Sequence, residues 1–240
     1  MTRAPGPVDI LAFGPHPDDV EIGMGGTLAR HASLGHGVGL CDVTAGEMGS
    51  NGTAEERLAE AEAARAVLGA RWRVNLRLPD RALGGDPSHV RTAAEMVRRA
   101  QPRVVALPYW SDRHPDHVAA SHLLSEAVFN AGLRRYPAAG EPWDVASICY
   151  YFINEAGQPS FVIDVSDHYE AKRRALACHA SQFRPGGADA VATRLTSSRF
   201  QQLIESRDAQ YGAQAGVAFA EGFVVRNPLV VPHLPGLSRL

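Results

Sequence analysis

The sequence predicts an α/β fold: a Rossmann-like doubly wound, mostly parallel sheet of order 3-2-1-4-5, with added C-terminal strands and flanking helices. Three observations predict it. Short apolar runs alternate with helical patterns over roughly the first hundred residues, the helix ends carry capping chemistry, and two His/Asp clusters fall just past the first and fourth strands.

The first strand is expected at 9–14 and the second at 37–44, with a helix over 26–33 between them that Gly35 and Gly37 terminate. Thr53, with Glu56 three residues on, forms a capping box, and Leu58, Ala61, Ala64 and Leu68 form the apolar stripe of the helix it opens. Gly69 stops that helix, and a third strand is expected at 74–78. Asp86-Pro87 opens the next helix, because proline in the first turn gives up no needed N–H. A fourth strand covers 103–108, and a helix follows Pro115 with Ala120, Leu124 and Val128 facing inward and its end near Gly132. Strands are expected at 148–153 and 161–165, a helix opened by Asp167 with Glu170, and a last helix marked by Phe200, Leu203, Ile204 and Tyr211. The Gly/Pro-rich stretches at 136–142 and 184–189 are short enough to be loops, so all 240 residues are read as one domain.

With 45% apolar residues the chain can bury a sizeable core. A net charge of −2 and no basic run argue against a nucleic-acid surface and for small-molecule chemistry. Lys172 is the only lysine. Cys41, Cys149 and Cys178 form an odd set without C-x-x-C spacing, so no disulfide framework is expected. No signal-peptide pattern or membrane-length apolar run is present, which gives the expectation of a soluble, cytoplasmic protein with no membrane partner.

Pro15-His16-Pro17-Asp18-Asp19 follows the first strand, and Asp112-Arg113-His114-Pro115-Asp116-His117 follows the fourth. In order 3-2-1-4 these strands are neighbours, and the chain reverses direction between them, so both clusters meet at the switch-point crevice. A catalytic zinc takes three protein ligands, from imidazole nitrogen and carboxylate oxygen, and leaves a position for water. His16, Asp19 and His117 fit that rule and leave Asp18, Asp116 and His114 for supporting or catalytic work. A lone H-x-x-D arises by chance in a chain this rich in His and Asp; two clusters at adjacent strand ends do not share that explanation. The other histidines, His122 and His179 among them, are read as ordinary structural residues. No G-x-S-x-G, H-E-x-x-H or Walker-type loop is present, and Gly14-Pro15-His16 stands where a dinucleotide fingerprint would need glycines.

At these residues the sequence resembles the PIG-L/LmbE-like zinc deacetylases, whose hallmark is H-P-D-D after the first strand paired with a later H-P-D-H. More narrowly it is similar to the bacillithiol-pathway branch, which deacetylates N-acetylglucosaminyl malate: LAFGPHPDDVEIGMGGTLA, SNGT, LPDR, DRHPDH, FVIDVSD, SQF and YGAQAGVAFAEGF match its pattern over almost the whole chain. The resemblance implies that His16, Asp19 and His117 hold zinc, Asp18 is the general base and His114 stabilises the oxyanion. Asp116 either keeps His114 oriented and protonated or supports His117. Arg57 and Asp80 would contact the sugar end, Arg113 the malate carboxylates, and Gln182 matches a position near the site. Arg57 lies in the first turn of its helix, where the dipole disfavours a cation, which points to a functional reason for it. The competing reading is an ordinary ion pair for Arg57 and Arg113 and a turn role for Asp80. Related mycothiol-pathway enzymes carry Tyr where this chain has Asp112, so the resemblance does not carry a tyrosine-assisted mechanism over to this position.

The activity implied is hydrolysis of the acetamide of an N-acetylglucosaminyl conjugate. Two other readings stay open: the mycothiol precursor or a chito-oligosaccharide as substrate, or a non-catalytic sugar- or nucleotide-binding module with a relic metal site. Family relatives form symmetric oligomers, which implies a homo-oligomer, trimer or hexamer, with the C-terminal helices and the apolar tail 223–237 as its interface.

Overall fold

The computed structural model describes residues 5–184, 186 and 190–231. In chain order the elements are β1 (Ile10–Gly14), α1 (Asp19–Ser33), β2 (Val38–Asp42), α2 (Ala54–Leu68), β3 (Trp72–Asn75), α3 (Pro87–Ala100), β4 (Val104–Pro108), α4 (Pro115–Gly132), β5 (Ser147–Tyr151), β6 (Phe161–Asp164), α5 (Tyr169–Cys178), α6 (Ala180–Phe183), α7 (Ser198–Ala215) and β7 (Ala220–Val224). The strands form one sheet in the order β3-β2-β1-β4-β5-β7-β6. The first five strands are parallel, and β7 runs antiparallel to both β5 and β6.

Alternation along the strands divides the core between two helix layers. Leu11, Phe13, Cys41, Val105 and Leu107 face α3 and α4, packing with Ala93, Val97 and Leu124. Ala12, Val38, Leu40 and Ala106 face the opposite side, where Leu28, Ala64, Leu68 and Ala175 of α1, α2 and α5 cover them. The three cysteines are free. Burial pushes the Cys149 thiol up to about 12, so it acts as a small apolar side chain.

One half of the expected capping box forms, Thr53 accepting from the Glu56 amide without a return bond from the Thr53 amide to the Glu56 side chain; Asp86 accepts from the Ser88 amide, and Gly69 ends α2 at φ 72°. Four expectations change. Helix α1 begins at Asp19, well ahead of 26, with a break at Met24 (φ −149°). The run Gly23-Met24-Gly25-Gly26 signals a breaker locally, yet a Cβ at Gly23 would collide with the Tyr151 ring, so close packing explains that glycine. The broken helix is stitched by distant residues: Glu221 accepts from the Gly26 and Thr27 amides at 3.0 and 2.6 Å, and Arg207 Nη2 donates to the Ile22 carbonyl at 2.7 Å. β3 ends early because Arg77 takes φ 52°, its amide held by the Asn75 side chain at 2.8 Å. Asp167 lies in a short 3-10 turn at Ser166–His168, and α5 has no side-chain cap. Finally, Phe223, expected in an interface tail, is 1% exposed near the end of β7, whose pairing with β5 and β6 places it in the core. Leu229, Val230 and Val231 are exposed; positions 232–237 of the expected tail lie outside the described residues.

Beneath the α1 break sits a buried charge cluster. Lys172 Nζ, fully buried, donates to Asp208 at 2.6 Å and Glu221 at 2.7 Å, and Arg207 Nε donates to Asp208 at 3.0 Å. These pairs join α5, α7 and β7, and Glu221 and Arg207 tie them to the backbone of α1, the helix that begins at Asp19. No described helix is long and apolar enough to cross a membrane.

Candidate metal centre and active site

Both His/Asp clusters leave the sheet at its carboxyl edge. β1 pairs directly with β4, Ala12 opposite Ala106, so the loops after Gly14 and Pro108 are neighbours. The structure brings His16, Asp19 and His117 together: their candidate ligand atoms lie within 4.8 Å of one another. Asp19 Oδ2 is 3.1 Å from His16 Nδ1 and 3.3 Å from His117 Nε2.

The other nitrogen of each imidazole has carboxylate partners. His16 Nε2 lies 3.2 Å from Asp80 and 3.5 Å from Asp116, and His117 Nδ1 lies 3.1 Å from Asp112. This is how metal-binding histidines are held in one tautomer with their ligating nitrogen turned inward. Two imidazole nitrogens and one carboxylate oxygen suit a borderline divalent cation. A second combination, His16, His114 and Asp116, is also close enough. It is a poorer cation site, because the Asp116 carboxylate already accepts from the Arg81 amide at 2.9 Å and Arg81 Nη1 at 3.0 Å, and His114 Nδ1 accepts from the Asp116 amide at 3.2 Å.

The protonation pattern agrees with a cation site. Burial opposes charge on His16, but its hydrogen bonds to Asp116, Asp19 and Asp80 outweigh that and hold it well above the ordinary imidazole range. Burial likewise opposes charge on His117, yet Asp19 and Asp112 bring it up to about 9. Burial would raise Asp19, but His117 and His16 keep it well below the ordinary carboxylate range. Protons stand on the imidazoles where a cation would otherwise supply the positive charge.

Asp18 belongs to neither ligand combination. Its backbone has φ 115°, an unusual value for a non-glycine residue, and its side chain is buried. Burial raises it to about 6, opposed by the Arg57 guanidinium 3.5 Å from Oδ2. His114 caps α4 with Nδ1 accepting, which in the neutral ring leaves the proton on Nε2. Burial and the facing His117 lower its pKa, so His114 is a neutral donor. The sequence left two roles for Asp116, as the orienting partner of His114 or of His117. In the structure it faces His16 and Arg81, while Asp112 supports His117 and also caps the His114 amide at 2.8 Å.

The sites expected to contact substrate divide. All four line one cavity of about 260 Å³ together with the His/Asp cluster. Arg113 is exposed there and pairs with no acid among the described residues. Asp80, expected at the sugar end, is turned inward: Oδ1 faces His16 and Oδ2 accepts from the Met48 amide at 3.0 Å. Arg57 is 5% exposed and bonded to the protein, and Gln182 Nε2 donates to the Asn51 carbonyl at 2.7 Å. Four further residues at the site were given no role from the sequence: Asp112, Asn154, Arg81 and Arg194. Asp112 alone carried a local signal, since an Asp two residues before a helix N-cap is placed to bind that residue's amide.

Comparisons with known proteins give this arrangement its class, which is that of the N-deacetylases. The chain is 31% identical over 237 residues to the 1D-myo-inositol 2-acetamido-2-deoxy-alpha-D-glucopyranoside deacetylase of Rhodococcus opacus, covering 72% of this chain and 81% of that relative. It is 28% identical over 228 residues to the diacetylchitobiose deacetylase of Thermococcus kodakarensis, covering 89% and 81%. Among solved structures, the conserved protein TT1542 from Thermus thermophilus superposes with a TM-score of 0.87 at 39% identity, over 97% of this chain and 100% of its own. The chain belongs to the PIG-L family, GlcNAc-PI de-N-acetylase, whose model matches residues 11–128 and so spans both His/Asp clusters.

Proposed function

We propose that this N-deacetylase hydrolyses the acetamide of N-acetylglucosaminyl malate, giving glucosaminyl malate and acetate, with zinc held by His16, Asp19 and His117. The observation that carries the hydrolytic reading is Asp18: a carboxylate next to the ligand set yet outside it, raised to about 6, beside a cavity that His114 also lines. A divalent cation held there would polarise the acetamide carbonyl and make a water more acidic.

The remaining chemistry falls to the chain's own groups. Asp18 accepts a proton from the attacking water and returns it to the departing amine nitrogen. His114 donates its Nε2–H to the oxygen on which negative charge builds, and needs no second proton to do so. Asp112, Asp80 and Asp116 keep the two ligand imidazoles facing inward. The anionic aglycone is supported by the mouth of the cavity, where the exposed guanidinium groups of Arg113 and Arg194 pair with no acid among the described residues. A neutral chitobiose or inositol conjugate gives those two groups no charge to meet.

The test measures acetate release from N-acetylglucosaminyl malate, from the inositol conjugate and from diacetylchitobiose, with zinc stripped and then restored. Zinc-dependent release is expected, highest for the malate conjugate. No turnover of any of the three by the zinc-loaded protein removes the functional reading. Equal turnover of all three removes the anionic aglycone.

A further inference from the structure

We infer that Arg57 is a positioning residue for the general base, holding the Pro17-Asp18 segment in place. The inference rests on the assignment of Asp18 as base. Arg57 sits in the first turn of α2, where the unpaired amides already place positive charge, so the helix itself gives no reason for a guanidinium there. What surrounds the group does. Nη2 donates to the Pro17 carbonyl at 2.9 Å and reaches Asp18 Oδ2 at 3.5 Å, and Nη1 donates to the Gly46 carbonyl at 2.9 Å. One rigid fork thus grips the backbone before the base, the base carboxylate and the loop opposite. A lysine ammonium is a single point and cannot span all three.

The space for that fork is made by glycine. Gly46 has φ 67°, and a Cβ at that position would collide with Arg57 Nη1; a Cβ at Gly49 would lie 3.0 Å from the same atom. Asp18 in turn holds φ 115°, a conformation that persists only where surrounding contacts enforce it. The Arg57 bond to the Pro17 carbonyl is such a contact, one peptide away. Both terminal nitrogens of the guanidinium are directed at protein oxygens, while Nε is buried without a partner.

The experiment compares the full-length wild type with Arg57→Met, Arg57→Lys, Arg57→Ala and Gly46→Ala, each checked for bound metal and thermal midpoint. Arg57→Met is expected to lower kcat about a hundredfold with KM nearly unchanged. Arg57→Lys remains depressed, because charge without the fork is insufficient. Gly46→Ala reproduces the kcat loss with the arginine still present, and added guanidinium partly restores Arg57→Ala. Hydrogen exchange over residues 14–22 rises in Arg57→Met, a readout that needs no substrate and so separates this inference from the choice of reaction. A rise in KM with kcat retained, full activity in Arg57→Lys, wild-type kcat in Gly46→Ala, or unchanged exchange over 14–22 would each overturn it.

Discussion

In the proposed reaction, replacing Asp18 by asparagine removes the proton acceptor and little else. Asparagine keeps the shape, retains an oxygen for Arg57, and tolerates positive φ better than alanine would, so the backbone at φ 115° is not asked to relax. Asp18 lies outside the proposed ligand set, so the variant should bind metal at the wild-type stoichiometry. With its carboxyl raised to about 6, Asp18 is about 99% ionised at pH 8, and the ionised form is the one the proposed reaction uses. The wild-type rate should therefore fall as pH drops through about 6, by close to tenfold per unit below it. General-base catalysis by a positioned carboxylate contributes about 10²- to 10⁴-fold, or roughly 2.7 to 5.4 kcal/mol of barrier. Asp18→Asn should lose that much in kcat and lose the acid limb with it. The assay is initial-rate acetate release between pH 5 and pH 9, with metal content measured on the same samples. A variant with near-wild-type kcat, or one that keeps the same acid limb at low rate, would refute the reasoning.

Asp112→Asn removes the charge that holds His117 Nδ1, and metal affinity should fall about 10- to 100-fold in chelator competition, with the fold intact by circular dichroism. His114→Ala should lower kcat about 10²- to 10³-fold, since it deletes the proposed donor to the developing oxyanion, while metal stoichiometry stays at the wild-type value. Lys172→Met strands Asp208 and Glu221 without their buried cation; a loss of about 3 to 5 kcal/mol is expected, lowering Tm by about 6 to 20 °C by calorimetry. Glu21 is buried, but Arg73 and His179 hold its carboxyl down to about 2. Its ionised form stabilises the fold above its ordinary value of 4.5, and that contribution fades as pH falls towards about 2, so the urea midpoint of Glu21→Gln should vary less over this window than the wild type's.

The sheet order and the meeting of the two clusters were legible because they rest on short-range patterns: apolar runs, caps at Thr53 and Asp86, and motifs placed just past strand ends. The start of α1 was not. The run from Gly23 to Gly26 reads as a helix breaker, and the groups that compensate it lie far along the chain, Glu221 being 195 residues from Gly26. The division of labour among the acids was hidden for the same reason. Asp80 is 64 residues from the histidine it faces, and Arg81 is 35 from the carboxylate it holds. A motif names which carboxylates enter a site; which imidazole each one meets depends on how the loops cross. Arg57 shows the limit from another side, since its oddness in a first helical turn was visible while its partners were not.

The buried Lys172 gives the protein an unusual chemical surface. It is the sequence's only lysine, and its Nζ is fully enclosed by Asp208 and Glu221. Acylating and cross-linking reagents that seek side-chain amines should find none on the native molecule beyond the α-amino group. Modification of Lys172 would then be a clock for opening of the α5–α7–β7 interior, and its rate, read by mass spectrometry, would track how often that interior parts.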